Sequence, residues 1–543
     1  MTETNNNLFL NYSEANLITY KKTPKVRLLM VGHQEFLDFE MQGSFSITDK
    51  EGNQLVEDFA SHQKWRAQVD AFAPSTYQYI LFVVEVLSEQ EADEISEDLK
   101  AKGYEAWHRR CGYKIELKRG HGLFENYRYR VFIGPVPNKQ TARGIQTELL
   151  GIYRSQIMKV PYLPARGYLE ITDLQVASSH KGVRHLRVEP TEKDSTITVF
   201  GILNQGKYVP YTFHHAIEFH IADDGRLFLV GEMDVDEYVI GVVTAMFDPD
   251  YPEEFLKASI VAYHSAVLSN LGMIHFNEPY DYCRSQHCFE FEWQDKVDPK
   301  IKKIMKAVSG KFLLKNRIIC DARQHPLCGG HTEHINLIMN RSKIHADSGR
   351  YDIEDTKNMK LPKNLSNETD AEEWISSRPS VLCNYRDNGV QGDYDRYRQD
   401  FRWVVELSRL ELDQIVRRKT EEDIGVIFDI VPLRRGGSGR LLEVEVLGSH
   451  KNVLLMDEQD IRSTLSETVL PSSLFSIETE LGVDGAPSNF IFSGAGKGHG
   501  VGMCQAGAVA IAHRGYDFLA ILKHYFGQVE LVSEFPSESK EKK

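Results

Sequence analysis

At 543 residues the chain is longer than one hydrophobic core usually serves, which sets an expectation of two or three domains. Its 41% hydrophobic and 26% charged residues are ordinary for a globular protein, and a formal net charge of -14 excludes broad electrostatic capture of nucleic acid. Seven cysteines in clusters point to metal ligation or free thiols more than to a disulfide framework, and no apolar run approaches the roughly 18 residues of a membrane span.

Residues 1–24 carry Glu3 and Glu14 where a secretory signal would have a basic start and an apolar core, so a disordered N-terminus without an export signal is expected. From 25 to 76 the pattern is short and strand-like, with Val26-Arg-Leu-Leu-Met-Val-Gly, then Gly43-Ser-Phe-Ser-Ile-Thr-Asp, and reads as a first β segment. Residues 77–160 change rhythm. An apolar strand from Tyr77 to Val86 precedes a helix marked by Ala92, Ile95 and Leu99. Strands near Tyr104–Arg109 and Tyr127–Val136 and a second helix through Ala142, Ile145 and Leu149 follow. The order is that of a βαββαβ unit with an internal pseudo-repeat, a ferredoxin-like insertion.

Strands resume from Gly167 to Glu232, and Val235 to Met246 leads to a stretch in which Asp250 is placed to cap a helix with Pro252 in its first turn. Leu256, Ile260, Tyr263, Val267 and Leu271 predict one apolar face on that helix, expected at the centre of the core. Next come His275, Cys283, His287 and Cys288, four thiolate and imidazole donors of the type that suits zinc. A second group, Cys320, Cys328 and His331, reads either as a metal site or as a buried thiol beside the Gly329-Gly330 turn. Residues 343–378 are polar and read as an excursion over the surface. Strand and helix patterns then lead to the glycine ribbon Gly494-Ala-Gly-Lys-Gly-His-Gly-Val-Gly502, an alanine-rich helix and a charged tail at 536–543, expected to be disordered. The ribbon fits neither the dinucleotide fingerprint nor the phosphate loop, which leaves close backbone packing or approach to a ligand.

Four stretches resemble the stage II sporulation protein D family, which includes the amidase enhancer LytB. They are Glu237-Tyr-Val-Ile-Gly-Val-Val with Glu254-x-Leu-Lys-Ala, His275 to Cys288, Ala322 to Thr332, and Gly494 to Gly507 with Ile521-Leu-x-x-Tyr525-Phe-Gly. The resemblance runs over roughly residues 160 to 530 and implies an α+β fold for a main domain at 161–535. The 77–160 unit, with Phe132-Ile-Gly134-Pro135 ahead of its second helix, resembles the sporulation-related repeat domain, a peptidoglycan-binding module; an unrelated ferredoxin-like insertion fits the same pattern.

The resemblance implies a protein of the cell envelope that binds peptidoglycan glycan strands, with a cell-wall amidase as a further partner; the missing signal fits a cytoplasmic protein instead. Some members are lytic transglycosylases, in which one acid protonates the glycosidic oxygen and then helps the sugar's own 6-hydroxyl attack. Here the position of the catalytic glutamate is Met246, which holds no proton to donate. The resemblance therefore implies glycan binding with catalysis lost or weakened; the alternative is an active transglycosylase using Asp248. It also implies zinc at His275, Cys283, His287 and Cys288, and a glycan groove lined by Cys328, Gly329, Gly330, His331, Thr332, His499 and Gln505.

Overall fold

The computed structural model describes residues 24–533 other than 50–51, 117–122, 205, 286, 293–296, 342–348, 355–360, 363, 386–389, 391–394 and 484. The disordered ends expected from the sequence lie, but for Pro24, outside the described residues. The fold is α+β and rich in strands.

Residues 25–73 and 166–234 build one large, mostly antiparallel sheet. Lys25–Gln34 pairs with Leu227–Asp234, and Lys64–Ala73 pairs with Arg166–Asp173, so the two halves of this layer meet across the intervening segment. Alternation along Phe36–Asp49 sends Leu37, Phe39, Met41, Phe45 and Ile47 inward, as a half-buried strand requires.

The intervening segment is the βαββαβ unit. Its sheet has Gln156–Leu163 and Thr76–Val86 side by side, then Arg128–Val136 and Ala106–Cys111, with helices Glu89–Ala101 and Lys139–Glu148 on one face. The other face is covered too: Ile80, Phe82, Phe132 and Val160 pack on Met273 and Phe276 of the main body. Polar contacts lock this docking. The Asn126 amide donates to the carbonyl oxygens of Leu268 and Leu271, and Arg128 donates to Ser269, so the unit satisfies carbonyls at the end of helix Glu253–Asn270 that have no partner within the helix. Beneath them Glu85 is held by Arg128, Arg130 and Arg341, and Arg341 continues to Asp321.

Helix Glu253–Asn270 is central, but 15 of its 18 residues are buried rather than the single face expected. Helix Val235–Met246 and the C-terminal helices Gln505–His513 and Phe518–Phe526 surround it, together with strand Lys311–Lys315, so no solvent face remains. Its N-cap is Pro252 with no side-chain cap; Asp250 does not serve. Glu254 in the first turn instead accepts the Phe518 N–H at 2.7 Å and binds Lys257, tying the helix start to the chain's last helix.

Residues 403–492 form a second core. Strands Trp403–Ser408, Pro487–Gly494 and Phe475–Leu481 and the sheet Ile427–Arg435, Leu441–Gly448, Val453–Leu455 enclose Leu412, Val444, Ile461, Phe475 and Phe490 with helices Arg409–Thr420 and Glu458–Thr464.

Candidate functional site

A cleft of about 1820 Å³ opens where the parts meet. Its walls come from the βαββαβ unit (Phe82, Arg130, Met158), the end of the Val235 helix (Met246), the loop with His287 and Cys288, the segment Arg323–Pro326, the ribbon (Lys497 to His499), and residues 451–464 of the second core.

Met246 is the last residue of its helix and half-buried, packed against the main core. The helix is positioned by Asp236, which pairs with His264 at 2.8 Å, and by Gly241, where a Cβ would lie 2.2 Å from the Phe291 ring. That missing methyl lets the loop bearing Cys288 lie against the helix; Glu292 donates its N–H to the Gly241 carbonyl at 3.2 Å. Asp248 lies beyond the helix end, exposed and outside the cleft lining.

The ribbon crosses the cleft floor with Gly496, Gly498, Gly500 and Gly502 all at φ between +74° and +87°. Gly500 shows the need for glycine twice over, since a Cβ there would also meet the guanidinium carbon of Arg440 at 2.2 Å. Arg440 is wholly buried and donates to the carbonyls of Cys328 and His331, so the residue that ends the turn at 434–440 lies under the ribbon.

His499 and Gln505 both line the cleft. The Val501 N–H donates to His499 Nδ1 at 3.0 Å, which leaves the ring proton on Nε2. On the other side of Val501 its carbonyl accepts from His325 Nδ1 at 2.9 Å, fixing the second tautomer. Desolvation, helped by His325 and by the arginines nearby, holds the His499 pKa well below the ordinary histidine range, so the imidazole is a neutral donor. Gln505 accepts from the Tyr397 hydroxyl at 3.3 Å. His325, which lies in the Ala322 to Thr332 stretch but was assigned no role there, and Tyr397, outside the four stretches, thus belong to the same wall as His499 and Gln505.

The Cys328-Gly-Gly-His-Thr turn is elsewhere. Cys328, His331 and Thr332 are buried and absent from the cleft lining, and a Cβ on Gly329 or Gly330 would run into Ala495 or Trp374. His331 donates from Nδ1 to the Thr332 carbonyl at 2.7 Å with its ring edge-on to Tyr351, and burial pushes its pKa down to about 4. Cys320 does not join Cys328 and His331 in a donor group among the described residues.

Of the carboxylates in the cleft, Glu85 is bound by three arginines, Asp400 by Lys497 and Glu458 by Arg462. Asp460 differs: desolvation, with Asp457 adding to it, pushes its pKa up to about 6.

His275, Cys283, His287 and Cys288 do converge, with all donor atoms within 4.8 Å of one another. Cys283 sits on a short strand paired in parallel with Leu28 and Leu29, His275 follows the central helix, and the other two lie on the loop against Gly241. Cys288 Sγ is 3.2 Å from His275 Nε2, 3.6 Å from Cys283 Sγ and 3.7 Å from His287 Nδ1. The edges of a tetrahedron with metal bonds of about 2.0–2.3 Å are about 3.3–3.8 Å, so these donors fit a single ion. The adjacent His287 and Cys288 face the same point. As free thiols the pair shares a proton: the hydrogen bond with Cys288 holds Cys283 low, and the same bond holds Cys288 high.

Two family models match this chain. That of the stage II sporulation protein covers residues 223–313, which include Met246, the central helix and the four donors. A domain of unknown function, DUF8618, covers 350–502, which include the second core and the ribbon. An uncharacterized protein of Brachyspira hyodysenteriae is 24% identical over 317 residues, covering 56% of this chain and 68% of that relative. The cleft lies between the two matched segments.

Proposed function

We propose that the chain binds peptidoglycan glycan strands in this cleft and does not cleave them. The stage II sporulation match over residues 223–313 supports a role in sporulation related to the cell wall. The observation that carries the reading is Met246, placed at a helix end in a cleft whose neutral His499 and Gln505 suit sugar hydroxyls and acetamido groups, while the proton donor of the transglycosylase reaction is replaced by a thioether. Zinc at His275, Cys283, His287 and Cys288 is structural in this reading: four protein donors leave no open position, and the ion fixes the loop that forms one wall. The βαββαβ unit, in its resemblance to the sporulation-related repeat domain, contributes a wall of the same groove through Phe82, Arg130 and Met158, its helix-free sheet face being packed on Met273 and Phe276. The protein acts in the cell envelope, holding a strand for another wall enzyme such as an amidase.

A second reading is favoured by Asp460. Its carboxyl lines the cleft, where Asp248 does not, and is raised to about 6, a proton affinity suited to a general acid, which makes it the better candidate for an active lytic transglycosylase.

Both are tested by incubating peptide-free glycan strands with the protein and measuring pelleting together with anhydro-ended fragments by mass spectrometry. The expected result is binding without fragments for the wild type, and fragments from Met246→Glu. Wild-type cleavage abolished by Asp460→Asn would establish the second reading. Absence of pelleting by either protein would overturn the first.

A further inference from the structure

A second donor cluster lies on the far side of the ribbon. Cys328, Asp352, Cys383 and Cys504 bring one ligand atom each within 4.8 Å of one another, and all four residues are at most 1% exposed. Cys328 Sγ is 3.4 Å from Cys383 Sγ and 3.5 Å from Asp352 Oδ2, against tetrahedral edges of about 3.4–3.8 Å for a zinc ion with sulfur and oxygen ligands. We propose that these four residues bind a structural zinc ion, distinct from the one at His275, Cys283, His287 and Cys288.

Three further observations support it. The surroundings are those of thiolates: the Cys328 N–H points at Cys504 Sγ at 3.3 Å, and the Gly330 N–H at Cys328 Sγ at 3.4 Å. Asp352 is wholly buried, with His524 Nε2 3.7 Å from its Oδ1 as its ion-pair partner among the described residues; Tyr525 donates to the same Oδ1 at 2.8 Å, which leaves Oδ2 to the sulfurs. A carboxylate buried in this way calls for a positive charge beside it. Space for the carboxylate is cleared by Gly507, where a Cβ would stand 2.5 Å from Asp352 Oδ2 and 2.2 Å from the Tyr525 oxygen. The guanidinium groups of Arg440 and Arg402 sit on the carbonyls of Cys328 and Gly329, offsetting the excess negative charge of three thiolates and a carboxylate on one divalent ion. Binding releases the three thiol protons to solvent and needs no oxidant.

A Cys328–Cys383 disulfide is the competing use of these sulfurs, but it would engage only two of the four converging donors and take the Cys328 thiol away from Asp352 Oδ2. Zinc here would join four stretches of chain: the turn before His331, the inward run at Asp352, the segment at Cys383, and Cys504 at the start of the helix whose first residue is Gln505. It stands independently of the proposed function.

The test begins with wild-type protein purified under reducing conditions, its metal content measured by mass spectrometry and its zinc shell by X-ray absorption. Two zinc ions per chain are expected, with a sulfur count midway between two and three per ion. One ion with a two-sulfur, two-nitrogen shell would overturn the proposal, as would a Cys328–Cys383 disulfide found by peptide mapping of that protein. Cys383→Ser should lose one of the two ions, and Cys283→Ser the other, leaving a three-sulfur shell. Should either variant fail to fold, the wild-type zinc count and shell still decide.

Discussion

At residue scale the ribbon glycines make the sharpest statement. Gly500 has φ +78° and the Arg440 guanidinium at the place of its missing Cβ. Gly500→Ala is therefore expected to cost about 3 kcal/mol or more, through strain and displacement of a buried charge, lowering the urea midpoint; an unchanged midpoint would show that the ribbon is free to shift. The alternation of glycine was legible in the sequence because a positive φ leaves a compositional mark. The partner of Gly500 was not, since Arg440 belongs to a turn far from the ribbon in sequence. Asp352 and Cys383 escaped for a related reason: neither has a cysteine or histidine close by in sequence, and only the fold brings them to Cys328 and Cys504. The 343–378 stretch read as a surface excursion, yet its described part passes through the interior at Asp352.

Among the elements, the docked βαββαβ unit shows both what periodicity reveals and where it stops. Period and length gave its strand and helix order, because the two helices alternate with apolar strands. That its second face would be covered rested on Met273, Phe276 and a network of arginines far apart in sequence. Glu85 is the hub, and its carboxylate is held well below the usual range by Arg341, Arg130 and Arg128 against the opposing effect of burial. Glu85→Gln leaves two buried guanidinium groups and the part-buried Arg130 without that charge and is expected to destabilise by about 3–5 kcal/mol. Loss of protection at the amides of 77–160 in hydrogen exchange, ahead of the rest of the chain, would locate the damage at this interface; uniform loss would place it elsewhere. The central helix illustrates a different limit. Its apolar stripe was visible, but Ala, Ser and His on the other faces concealed that they too are buried, because small and polar residues carry little signal of their own.

For the whole molecule, the titrating groups oppose one another: Asp460, raised to about 6, and Glu278, raised to about 7, favour the folded state more as pH falls, whereas the depressed groups favour it less. His331 has a folded pKa of about 4 against an ordinary 6.5, so its contribution is complete above pH 6.5 and declines as pH falls toward 4. Glu85 and Asp321 are depressed below their ordinary 4.5 and 3.8, so theirs is lost only as pH falls through and below those values. The urea midpoint is thus expected to fall steeply below pH 4.5, and the advantage of the wild type over His331→Gln should shrink as pH falls from 7.5 to 5; an advantage constant over that window would contradict the assignment.

The pairing of Lys25–Gln34 with Leu227–Asp234 carries a consequence for synthesis. The earliest strand of the large sheet leaves the ribosome about two hundred residues before its neighbour exists, whereas the four strands at 76–163 are complete among themselves once Gln156–Leu163 emerges. On a vectorially made chain the inserted unit can therefore fold first, while Lys25–Gln34 waits ahead of it, its Val26 and Leu28 without the strand they pair with. The later layer must then close around a finished object, and the exposed interval, set by translation speed, is when the nascent protein is most open to chaperones and to aggregation.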